Sequence, residues 1–105
     1  LDTHHGLANA VNLPYGMKFN LQGFESRFDD MANAFGLKNG NGIQLIDELF
    51  KLNERLGLPT KLSAIDVKEE HLEPLADLAF ADFCHPNNPK PVTRADFRAI
   101  YQEAF

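Results

Sequence analysis

Residues 1–20 read LDTHHGLANAVNLPYGMKFN, and the rest of the chain is organised around them. His4 and His5 open a helix-like run that Pro14 is expected to close. In a helix, positions i, i+4 and i+7 share a face. His5, Asn9 and Asn12 then form a polar, coordinating stripe, opposite an apolar side made by Leu7, Ala8, Ala10, Val11 and Leu13. No residue from His4 to Tyr15 carries a fixed charge, a pattern that fits a cleft wall better than a solvent-facing helix. Adjacent helical residues point about 100° apart, so His4 and His5 do not chelate one ion together. His4 shares a face with Leu7 and Val11 and is expected to pack or to be partly exposed. Spacing alone gives His5 the ordinary reading of a capped or solvated imidazole, because one ring is far short of the ligands a tight metal site needs.

Working outward, the chain reads as helix after helix. Met17 to Asn20 is expected to be a connector. Phe24, Phe28, Met31, Ala32 and Phe35 mark an amphipathic helix ended by Gly36, with Leu37 as its hydrophobic contact. Asn39-Gly40-Asn41-Gly42 is a turn; it lacks the spacing of a dinucleotide fingerprint and no strand precedes it. A helix over about Ile43–Leu56 turns Leu45, Ile46, Leu49, Leu52 and Leu56 inward, with Phe50 flanking them, and Gly57-Leu58-Pro59 stops it. Leu62 to Ile65 is a short apolar link, and Asp66 to Glu70 a helical turn or frayed start. Leu72, Leu75, Ala76, Ala79, Phe80 and Phe83 give the next stripe, firm from Glu73 because Pro74 is tolerated only in a first turn. Thr93 with Asp96 approximates a capping box for a last helix that buries Phe97, Ile100, Tyr101 and Ala104. No segment alternates with the period of two that a strand requires. The expectation is one all-α domain over residues 1–105, a five-helix bundle.

Composition narrows the function classes. Apolar residues make up 44% of 105, enough for a core and against a disordered tail. A net charge of −5, with Lys and Arg scattered singly, argues against nucleic acid and anionic membranes as partners. No apolar run approaches the length of a membrane span, and no secretion leader is visible. The single cysteine, Cys84, excludes an internal disulfide and fits a reducing, cytoplasmic setting. His71 and His85 are read as solvated.

Two motifs carry a more specific message. The run DTHHGLANAVNLP over residues 2–14, followed by Lys18-Phe19-Asn20, resembles the iron-containing (group III) alcohol dehydrogenase family. Asp82-Phe83-Cys84-His85-Pro86-Asn87-Asn88-Pro89-Lys90-Pro91 resembles that family's late loop. The resemblance implies the C-terminal helical domain of a dehydroquinate synthase-like, iron-containing alcohol dehydrogenase fold. It implies that His5 is a ligand of the catalytic metal, Fe2+ or Zn2+, and that Cys84 lies near the substrate channel. Asn88 and Pro89 are expected to fix the loop's shape, and Asn9 to orient the His5 ring or line the cleft. Further ligands and the Gly-rich NAD(P)-binding segment fall upstream in that family. The expectation is therefore a C-terminal part, inactive by itself, whose partner is a missing N-terminal nucleotide-binding domain. The other reading, from a different class, is a non-catalytic helical interaction or oligomerisation module that self-associates through exposed apolar surface.

Overall fold

A computed structural model describes residues 3–105; Leu1 and Asp2, the first letters of the opening motif, lie outside the described residues. Among the described residues there are five α-helices, three short 3-10 turns and no strand. The helices are α1 (His5–Leu21), α2 (Glu25–Ala34), α3 (Gly42–Arg55), α4 (Leu72–Ala81) and α5 (Arg94–Ala104). The 3-10 turns span Leu62–Ile65, Glu69–His71 and His85–Asn87. The expected five-helix, all-α architecture is what the chain forms.

The largest departure concerns Pro14. The sequence reading stops the first helix there and makes 17–20 a connector, whereas α1 runs unbroken for 17 residues to Leu21. A proline inside a helix has no N–H to give the carbonyl four residues back, which here belongs to Ala10. That carbonyl does not go unpaired. Asn53 of α3 donates its side-chain amide to the Ala10 oxygen at 2.9 Å. Asn53 is the buried polar residue of the core, 8% exposed, and it replaces the hydrogen bond that Pro14 cannot make. Pro14 itself is fully enclosed.

An unbroken α1 supports two cores. Val11 and Tyr15 pack with Leu62, Val67, Leu72 and Ala104 in the larger one. Met17 and Leu21, one to two turns further on, pack against Phe28, Ala32 and Leu45 in the smaller one. Tyr15 is pinned by its hydroxyl, which donates to the Thr60 carbonyl at 2.7 Å, and by the edge of Phe50 at 5.1 Å.

The caps follow the sequence closely. Asn41 and Gln44 form a reciprocal capping box at the start of α3, so the Gly-rich turn is a helix cap. Gly42 is buried at that start because a Cβ there would meet Leu21 and, at 2.8 Å, the Cβ of Phe28. Gly36, at φ 100, ends α2 in a Schellman arrangement: Leu37 N–H donates to Ala32 O and Gly36 N–H to Asn33 O. Thr93 and Asp96 form a full capping box on α5. Pro74 sits in the first turn of α4, where no backbone donor is needed.

Several stripe positions face outward. Leu56 is 63% exposed and Phe83 87%, and Met31, Phe35 and Phe80 are also exposed. Leu56 is the C-cap of α3, Phe35 that of α2, and Phe83 lies beyond the end of α4. On α3, Asn53 holds the inward place that the apolar pattern alone assigned to leucines.

An exposed ion-pair network joins α4 to α5. Arg94 bonds Glu73 at 2.7 Å and Asp77 at 2.5 Å, and Arg98 bonds Glu73 at 2.6 Å. The two guanidinium groups hold the Glu73 carboxyl below its ordinary value, Arg94 first and Arg98 second.

Three outcomes are expected from this packing. In thermal or urea unfolding, Asn53→Ala costs about 1–3 kcal/mol by stranding the Ala10 carbonyl. In a Pro14→Ala background the same change costs less by about 1 kcal/mol or more, since the backbone N–H restored at that position takes the oxygen; equal costs in both backgrounds refute the compensation. Gly42→Ala costs about 1–3 kcal/mol through overpacking against Phe28, and a neutral result means the α2–α3 contact is looser than described. Glu73 is depressed in the folded state, so its contribution is present above the ordinary carboxylate value and fades as pH falls below it through the lower folded value. Melting temperature should therefore drop on acidification below about pH 4.5, and less steeply in Glu73→Gln; identical slopes remove Glu73 from the acid sensitivity.

Candidate functional site

His5 is the first residue of α1 and its imidazole is exposed. One turn on, the Asn9 side-chain amide lies 3.1 Å from His5 Nε2. With the amide as donor, Nε2 presents the ring's lone pair and the neutral ring carries its proton on Nδ1. A divalent metal takes the same lone pair, so metal at Nε2 and the Asn9 hydrogen bond exclude each other. Asn12 lies on the same side of α1 as Asn9 but offers it no free amide. Its amide turns back to donate to the Ala8 carbonyl at 2.9 Å, and its Oδ1 is buried with no partner.

The side of α1 turned away from Val11, Pro14 and Tyr15 is open. A groove of about 640 Å³ runs along it, lined among others by Gly6, Asn9, Leu13, Gly16, Met17 and Asn20. Leu13 belongs to this open side and is 53% exposed, whereas the apolar pattern places it inside. The reason is the length of α1: over nearly five turns the groove residues line up at three- and four-residue steps. Small Gly6 and Gly16 leave the surface concave between the larger side chains. His4 is exposed beside it and makes no side-chain cap bond.

At the far end of α1 sits the loop after α4. Cys84 is exposed there and is a free thiol. Asp82 accepts the Cys84 backbone N–H at 2.7 Å, which holds its carboxyl below the usual range. The same carboxylate, accepting from the thiol, pushes Cys84 above its ordinary value, so this thiol is not an activated nucleophile. His85, read from sequence as solvated, is half-buried. Its ring stacks on Phe80 at 5.1 Å and meets the edge of Phe97 at 5.8 Å. His71 is likewise half-buried, and its Nδ1 accepts the Lys68 N–H at 3.0 Å. A cleft of about 580 Å³ is lined by Cys84, His85, Asn88, Phe97 and Tyr101, among others.

The loop is tied to the last turn of α1. Asn20 and Asn88 exchange two side-chain amide hydrogen bonds, at 2.9 and 2.7 Å. Asn20 stands about 22 Å along the helix from His5 at the ordinary rise per residue. His5 and the Cys84 loop are therefore set against opposite ends of one rigid element. Among the described residues no group of three His, Cys, Asp or Glu side chains comes close enough to hold a metal. His5 fits a metal as one imidazole of a larger ligand set, and this chain's described residues do not complete that set. Sequence reasoning misses the Asn20–Asn88 contact because residues 17–20 read as a connector; its signal is a second asparagine in a loop rich in helix-hostile residues.

The family described as Fe-containing alcohol dehydrogenase family, C-terminal, matches residues 1–105. Lactaldehyde reductase of Escherichia coli (strain K12) is 31% identical over 110 residues, covering 99% of this chain and 29% of that protein. The NAD-dependent methanol dehydrogenase of Bacillus methanolicus is 35% identical over 107 residues, covering 95% of this chain and 28% of that protein. A solved 1,3-propanediol oxidoreductase superposes with a TM-score of 0.89 at 29% identity, covering 99% of this chain and 29% of that one. The chain thus spans under a third of the length of the curated relatives it matches. These matches place the chain in the Fe-containing alcohol dehydrogenase family, as its C-terminal helical domain.

Proposed function

We propose that this chain is the C-terminal helical part of a metal- and NAD(P)-dependent alcohol or aldehyde oxidoreductase, and that His5 supplies one of the metal's imidazoles. The observation that carries the reading is the position of His5. It is exposed and paired with Asn9 through Nε2, at the head of a helix whose outer side is an open groove. Family membership adds the metal, and the name of the methanol dehydrogenase relative supports a nicotinamide coenzyme.

A divalent metal bound there would act as a Lewis acid on the alcohol or carbonyl oxygen while the coenzyme exchanges hydride. The chain's own residues would do the rest of the work at this wall. Asn9 holds the free His5 ring through Nε2, yields that lone pair when a metal takes it, and lines the groove beside the ring. Leu13, Met17 and the two glycines give the groove an apolar, concave floor that excludes water when covered. Cys84 narrows the mouth at the far end as an uncharged thiol. The nucleotide-binding part of the enzyme would dock over the α1 groove and bring the remaining ligands. By itself the chain would be inactive, and with Leu13 and Phe83 exposed it would tend to self-associate.

The test uses metal analysis and steady-state kinetics on the full-length enzyme. His5→Ala should lose most bound iron or zinc and lower turnover about a thousandfold or more, the scale of losing a Lewis-acid contribution of several kcal/mol. Full metal content and near-normal alcohol oxidation in His5→Ala would sink the assignment, as would tight one-to-one metal binding with turnover by the 105-residue chain alone.

A further inference from the structure

The contact between the end of α1 and the loop carrying Cys84 is richer than chain continuity needs. Asn20 and Asn88 each donate and each accept, so neither amide is satisfied without the other. Asn88 also donates to the Lys90 carbonyl at 2.9 Å, which closes the loop on itself. Lys90 in turn donates to the Gln22 carbonyl at 3.1 Å and lies 4.1 Å over the Phe19 ring. Gln22 is the C-cap of α1, so its carbonyl is one of the acceptors a helix end leaves open, and a cation there is also favoured by the helix dipole. Three residues of α1 and its cap, Phe19, Asn20 and Gln22, thus grip two residues of the loop.

The loop needs such a grip. Its own backbone bonds are those of a single 3-10 turn, Asn87 N–H to Cys84 O and Asn88 N–H to His85 O. Three prolines, Pro86, Pro89 and Pro91, remove donors from the rest. Cys84, Asn88 and Pro89 all line the same cleft, so the loop's place on α1 decides how open that cleft is. Since α1 is unbroken, it also fixes the separation between this cleft and His5.

We propose that Asn20 and Asn88, with Lys90, are positioning residues: a latch that holds the Cys84 loop at a set distance from His5 and so sets the width of the substrate passage. The kinetic consequence rests on the dehydrogenase reading; the latch itself does not.

Two measurements separate these. On the 105-residue chain, amide hydrogen exchange at Asn87 and Asn88 should speed up about tenfold in Asn20→Ala and in Asn88→Ala, with little further change in the double variant. Amides within α4 and α5 should be unaffected. Asn20→Asp, which still accepts from Asn88, should fall between. Unchanged loop exchange, or effects that simply add, overturns the latch. On the full-length enzyme, Asn20→Ala should raise KM for the alcohol about five- to tenfold with kcat within about twofold, and Asn20→Asp should recover part of the loss. Loosened loop exchange with unaltered kinetics, or with kcat and KM falling in step with metal content, overturns the positioning role. A responsive loop in an enzyme that, unmutated, oxidises no alcohol sinks the dehydrogenase reading and leaves the latch standing.

Discussion

One hydrogen bond sets the shape of this domain: the Asn53 amide on the Ala10 carbonyl. Pro14 removes the intrahelical donor for that oxygen, and a buried, unpaired carbonyl costs enough to end a helix. With Asn53 in place the helix continues for nearly two further turns. Those turns carry Met17 and Leu21 into the smaller core and Asn20 to the loop. Without them α2 would have no floor and the Cys84 loop no anchor. The polar residue in the core is thus a condition for the apolar packing around it, and not an exception to it.

An unbroken α1 also lays out the surface on which the proposed reaction centre would be completed. One side of the helix faces the two cores. The other is left as a groove with an imidazole at its head and a loop cleft at its foot. Helical rise is a fixed length per residue, so the spacing of these ends is insensitive to side-chain motion. Outside the helices the restraints are local, as in the capping boxes at Asn41 and Thr93, or electrostatic, as in the arginine–carboxylate network between α4 and α5. That network lies on the exposed surface, where ion pairs contribute modestly, and its arrangement matters more for the register of two short helices than for total stability.

Much of this was legible in the letters. Helical period, Gly36 and Gly57 as stops, Thr93 as a start and Pro74 in a first turn are all local matters, decided within a turn of the residue concerned. The two motifs gave the family and singled out His5 and Cys84. Harder to read were residues whose surroundings come from distant parts of the chain. His85 lies between Phe80 and Phe97, Leu13 faces a groove instead of a core, and Phe83 protrudes where its helix has already ended. A stripe of apolar letters says which side of a helix is sticky. It does not say how far a neighbouring helix extends to cover it.

The sequence by itself determined the all-α class, the caps and the identity of the chemically able side chains, because each follows from backbone geometry over three or four residues. Only the tertiary structure decided that Pro14 would be absorbed, that Asn20 would meet Asn88 and that His5 and Cys84 would stand at opposite ends of one helix. Those outcomes depend on groups 43 to 68 positions apart meeting as donor and acceptor. No periodicity encodes such a meeting; it exists once the cores have brought the helices together.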